Sequence, residues 1–133
     1  MKIYYKEGYK YQLAETYSVE TYLRPYVEGG NDFVSIDTHG WLTIKKGYAW
    51  DGASGPAIDT NTFMRGSLVH DALYQLIGLG VLPLNQKKYA DLMLKDIILE
   101  DGMNPIRAWW VHKAVKHFGV IYQNQPNNYL SAP

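Results

Sequence analysis

The stretch TFMRGSLVHDALYQLI, residues 62–77, decides the reading of this chain, because here the apolar residues stop alternating and begin to recur every three or four positions. That period belongs to a helix. The spacing predicts one from about Thr62 to Ile77, with Asp59, Thr60 or Asn61 as its N-cap and Gly78 and Gly80 ending it. Working towards the C-terminus, a second helix is expected after Asn85, ending at Gly102, with Ala90, Met93, Leu94, Ile97 and Ile98 on its inner face. A third opens with Asn104 as cap and Pro105 at its first turn and closes at Gly119, with Ile106, Trp110, Ala114 and Phe118 as its expected buried stripe.

Working the other way, the first fifty residues have period two. Tyr9, Tyr11 and Leu13 alternate with polar neighbours, as do Tyr17, Val19 and Thr21. Phe33–Ile36 and Trp41–Ile44 read as a hairpin joined by Asp37-Thr38-His39-Gly40, and Gly29-Gly30-Asn31 as the loop before it. The fold class is therefore α+β: N-terminal antiparallel strands and hairpins packed with three C-terminal helices, the first two an antiparallel pair. Residues 1–123 are expected to form one domain and 124–133, which lack periodicity, an irregular tail.

Composition narrows the function. Thirteen Lys and Arg balance thirteen Asp and Glu over 133 residues, so no sequence-wide field exists to hold a phosphate backbone, and nucleic acid is not expected as a partner. The absence of cysteine excludes disulfides and thiolate metal sites. The N-terminus MKIYYKEGYKYQL lacks an apolar signal core, and no run reaches the roughly 18 apolar residues of a spanning helix. Neither a signal peptide nor a transmembrane segment is expected; peripheral contact with a membrane stays open. Twelve Tyr and four Trp favour self-association or an assembly partner through an aromatic surface.

The chemistry concentrates in two places. His70 and Tyr74 are four apart and share one helix face, with Asp71 turned about 100° away. Ionisable groups in so apolar a stretch must be paired or bind an ion, since burying them alone costs several kcal/mol. Asp91 sits at the flank of the second helix's apolar face. Across an antiparallel helix pair it can accept a bond from one His70 nitrogen and leave the other as a base. Arg107, close to the apolar arc of the third helix, can instead neutralise Asp91 or Asp71, which would make the cluster a scaffold; so would a His70 bonded to a backbone carbonyl. The second place is the loop Gly47–Pro56. With Asp51, Gly52 and the nearby Asp71 it offers oxygen ligands for a hard cation, calcium or magnesium, or else forms a tight crossover with Asp51 bonding its own backbone. Ser54 is a weaker candidate, because its surroundings are not those of a nucleophile elbow. His39, His112 and His117 read as dispersed surface residues, and an HD-type phosphohydrolase is disfavoured because no further histidines complete its metal set.

DGASGP at 51–56, RGSLVHDALYQL at 65–76, YADLML at 89–94 and a last helix ending VKHFG at 115–119, in this order, resemble the phage-associated domain-of-unknown-function family 1353 over roughly residues 30–120. The chain departs from that family's pattern in having no arginine around the loop proline Pro56. The resemblance implies a phage or prophage origin, and with it host cytoplasm or virion as location and phage structural proteins as partners. HDALY followed by an aspartate on the next helix is also similar to secreted phospholipases A2. That similarity implies His70 as the base activating water, Asp91 orienting it, Tyr74 as a supporting hydrogen-bonder, and Asp71 with Asp51 and Gly52 of the loop holding calcium. That family's disulfides and loop glycine pattern have no counterpart here. Two functions follow as expectations: a metal-dependent hydrolase of a lipid ester or cell-envelope substrate, and a non-enzymatic virion or assembly component whose His–Asp network only specifies packing.

Overall fold

The computed structural model describes Ile3, Tyr5–Lys6, residues 11–50 and residues 61–121. The loop residues Asp51, Gly52 and Ser54, the caps Asp59 and Thr60, Tyr9 and the tail at 124–133 lie outside the described residues. Among the described residues, seven short strands precede three helices: β1 (Tyr5–Lys6), β2 (Tyr11–Leu13), β3 (Tyr17–Glu20), β4 (Gly29–Gly30), β5 (Val34–Ile36), β6 (Trp41–Ile44), β7 (Ala49–Trp50), α1 (Asn61–Gly78), α2 (Lys87–Glu100) and α3 (Pro105–Phe118). This is the α+β arrangement expected. The strands form two antiparallel sheets, ordered β1-β2-β7 and β3-β6-β5-β4.

The β5–β6 hairpin forms because its turn satisfies itself. Asp37 Oδ1 accepts from the amides of His39 (2.9 Å) and Trp41 (3.0 Å), and Gly40 takes φ +88°, where a Cβ would strike Thr21 O at 2.5 Å. One strand boundary differs from expectation: Gly29-Gly30, read as loop, pairs with β5 through Gly29↔Ile36 and Gly30↔Ser35. Neighbouring-strand pairing, not local propensity, makes that segment a strand.

Alternation buries one face of each longer strand. Leu13, Tyr17, Val34, Ile36, Leu42 and Ile44 meet Leu68, Val69, Leu73 and Leu76 of α1 and Met93 and Ile97 of α2. The inner face expected of α2 is the buried one; a 3₁₀ turn at Leu84–Gln86 precedes that helix. Helices α1 and α2 approach closely at Gly66, where an added Cβ would lie 2.6 Å from Ile98 Cγ2 and 2.9 Å from Leu94 Cδ1. Arg65 is buried at the same end. It donates to Asp101 (2.9 and 3.0 Å), to the Tyr17 hydroxyl (2.9 Å) and to Glu100, tying α1 to β3 and to the end of α2. Burial alone would lower its pKa, but these acceptors outweigh it and hold the guanidinium ionised.

Helix α3 begins as expected, with Asn104 Oδ1 accepting from the amides of Ile106 (2.8 Å) and Arg107 (3.3 Å). Its buried stripe is not the expected one. Ile106, Trp110 and Phe118 are 71%, 59% and 82% exposed, and Ala114 is exposed too. The inner side is Ala108 with Val111 and Val115, packed on Phe63, Leu94, Ile98 and Met103. Both rows have helical spacing. The smaller residues take the interface because they let α3 lie close to α2, whereas tryptophans there would hold the axes apart. Among the described residues no helix is long and apolar enough to cross a membrane.

Candidate functional site

The antiparallel packing of α1 on α2 sets Asp91 opposite His70 and Tyr74. Asp91 is 1% exposed, yet both its carboxylate oxygens accept hydrogen bonds. Its Oδ1 lies 2.7 Å from His70 Nε2 and accepts from the Tyr74 hydroxyl at 2.6 Å; its Oδ2 accepts from Lys87 Nζ at 2.9 Å. Burial by itself would raise the carboxyl pKa. The hydrogen bonds from His70, Tyr74 and Lys87 outweigh it and hold Asp91 below the usual aspartate range, so it stays charged. Tyr74 moves the other way, its pKa pushed up by burial and by the neighbouring carboxylate, so its hydroxyl keeps its proton and remains a donor.

The His70 ring stacks obliquely on Tyr74, with centroids 4.1 Å apart, and its side chain keeps 13% of its surface open. Among the described residues Nδ1 takes no hydrogen bond. With Asp91 fixed as an anionic acceptor, the proton of a neutral ring belongs on Nε2, which leaves the lone pair on Nδ1.

Asp71, the next residue on α1, is exposed, and one of its oxygens accepts from the buried Tyr48 hydroxyl at 2.7 Å. It stands beside the His70 pair rather than within it. Its carboxylate is a hard oxygen donor of the kind calcium or magnesium takes. The other ligands assigned to such a cation, Asp51 and Gly52, lie outside the described residues, as does Ser54. Among the described residues no cluster of three or more His, Cys, Asp or Glu could hold a metal ion.

Arg107 is not the cation on Asp91; Lys87 is. The lysine precedes Asp91 by four residues, one turn along the same face of α2, a spacing visible in the sequence. Lys87 Nζ also donates to the carbonyl oxygens of Val115 (3.2 Å) and Lys116 (3.4 Å) in the last turn of α3, where Val115 O accepts the Gly119 amide as well (2.8 Å). Gly119 has a second use there. Its φ is −66°, so it is not a left-handed cap, but an added Cβ would lie 2.4 Å from the Tyr74 hydroxyl. The absence of a side chain at Gly119 gives Tyr74 its place. Tyr48 could not have been found from sequence spacing, since its contact with Asp71 depends on how β6 and β7 run under α1.

Elsewhere, a cleft of about 360 Å³ is lined by Tyr26, Val27, Gly29, Val81 and Pro83. It shares no residue with the His70 network. A family model described as "Protein of unknown function (DUF1353)" matches residues 30–115, a span that includes β5, β6, α1, α2 and most of α3. No curated protein and no solved structure matches the chain.

Proposed function

This chain belongs to the DUF1353 family, and we propose that it is a phage- or prophage-encoded, metal-dependent hydrolase in which His70 is the general base. One observation carries the reading: a histidine bonded through Nε2, at 2.7 Å, to a buried carboxylate that three donors keep ionised, with Nδ1 turned away from that carboxylate. In this role Nδ1 takes a proton from water as the water's oxygen attacks an ester or related carbonyl, and Asp91 stabilises the imidazolium that forms. Tyr74 holds the carboxylate and packs on the ring, restricting the imidazole to one orientation. A divalent cation, held by Asp71 with Asp51 and Gly52, would supply positive charge for the developing oxyanion. Lipid esters and cell-envelope components are the substrate classes this chemistry suits.

The test compares wild type with H70N on phospholipid vesicles and on bacterial envelope fractions, in calcium, in magnesium and in chelator. Hydrolysis should fall about 10²–10⁴-fold in H70N, the usual contribution of a positioned base, while the circular dichroism spectrum is unchanged. An H70N protein as fast as wild type would remove His70 from the mechanism.

A second reading is favoured by Lys87, whose bonds to Asp91 and to the α3 carbonyls make the same network a clasp among three helices. Under it the protein is a non-enzymatic virion or assembly component, H70N is silent in every hydrolysis assay, and added calcium or magnesium leaves melting unchanged.

A further inference from the structure

Helix α3 is apolar on two sides. Ala108, Val111 and Val115 face the core, and on the opposite side, within an arc of about 100°, stand Ile106, Trp109, Trp110 and Lys113. The three apolar residues of that arc are exposed. The tryptophan rings meet edge to face with centroids 4.9 Å apart, and Lys113 Nζ lies 4.8 Å over the Trp109 ring. A helix with apolar residues on both sides is ordinarily covered on both, and a contiguous aromatic face left to water marks a contact surface.

Charge decides what kind of surface covers it. No Asp or Glu occurs from Gly102 to Pro133, while Arg107, Lys113 and Lys116 stand on α3. The acids of the neighbouring α2 are engaged elsewhere: Asp96 with Tyr22, Glu100 and Asp101 with Arg65, Asp91 inside the core. A second copy seated by twofold symmetry would bring these cations against their own counterparts. A layer of anionic lipid headgroups offers the complement. It presents negative charge across a plane to the cations, and a boundary between polar and apolar matter, where tryptophan sits with its ring in the acyl edge and its N–H in the headgroups. With 14 residues α3 is too short to span a bilayer and suits lying in its surface.

We infer that the outer face of α3 docks this protein onto anionic membranes, with Ile106, Trp109 and Trp110 entering the headgroup layer and Lys113 and Lys116 against lipid phosphates. The docked helix is joined at its far end to the His70 network through Lys87 and the Val115 carbonyl. Binding itself needs no turnover, so this inference stands or falls apart from the role of His70.

The experiment is co-sedimentation with vesicles of phosphatidylcholine alone and of phosphatidylcholine mixed equally with phosphatidylglycerol. Wild type should partition at least about tenfold more strongly onto the anionic vesicles, and lose that preference as salt is raised. W109S/W110S and K113E/K116E should each abolish the preference while keeping the wild-type circular dichroism spectrum and melting temperature, since all four side chains are exposed; H70N should bind as wild type does. Should one double variant fail to fold, the other alone decides. Equal binding to both vesicle types, no binding to either, or binding unaffected by the folded variants would overturn the inference. So would a concentration-dependent dimer that the tryptophan substitutions dissolve while vesicles go unbound.

Discussion

Asp91 holds a full negative charge almost out of contact with water, which is tolerable only because three donors meet its two oxygens. D91A should therefore cost about 3 kcal/mol in urea unfolding, the low end for losing one partner of a buried ion pair, because Lys87 stays partly exposed. The pH dependence has a definite sign. The folded pKa lies below the unfolded one, so the contribution of Asp91 is fully present above about pH 4 and is lost as pH falls through the folded value. An acid titration of stability should show this limb in wild type and a shallower one in D91N; equal limbs would mean that another carboxylate governs acid unfolding. At Gly119 the expected effect is steric. G119A should displace the Tyr74 hydroxyl from Asp91 and alter the near-ultraviolet signal of that tyrosine, whereas a glycine needed only for helix termination would leave it unchanged. Much of this residue set was legible beforehand. His70 and Tyr74 follow from the helical period, Asp91 from its place on the flank of an apolar face, and the signal for Lys87 is its place one helical turn before Asp91. Tyr48 was not legible, because no local rule relates a tyrosine in the turn between β6 and β7 to a helix carboxylate twenty-three positions later.

At the scale of elements, α1 and α2 came directly from periodicity, since each has one apolar side and a polar one. For α3 periodicity was ambiguous: the row Ile106, Trp110, Ala114, Phe118 competes with the row Ala108, Val111, Val115, and only the closeness of α2 chooses the smaller residues. Where two helices meet, small residues are decisive. G66A should destabilise the protein despite alanine's better helix propensity, because the added methyl has Ile98 and Leu94 within 3 Å; a stabilised G66A would show that the α1–α2 seam has room to relax. The seam is also clamped electrostatically at its other end. K87M should loosen the last turn of α3, seen as faster amide exchange near Val115 and Lys116, with a loss of about 1–3 kcal/mol for the Asp91 oxygen left without a donor.

Across the molecule, two small sheets provide a floor on which α1 lies, α2 covers α1, and α3 leans on α2 with an apolar back turned outward. The division into two sheets and the pairing of Gly29-Gly30 escaped sequence reading because strands two to four residues long are selected by their partners, not by their own propensity. What this architecture accomplishes is to bring residues 21 positions apart into one hydrogen-bonded group with an imidazole nitrogen to spare. The central claim is thus a statement about a proton: in the neutral ring it resides on Nε2, held by Asp91, and Nδ1 is the base. Long-range ¹H–¹⁵N correlation spectra of the histidines, recorded with the imidazoles neutral, test this most directly. They should show for His70 a protonated Nε2 and an unprotonated Nδ1, with the preference weakened in D91N. A His70 protonated on Nδ1, or averaging freely between tautomers as a solvent-exposed imidazole does, would contradict the account.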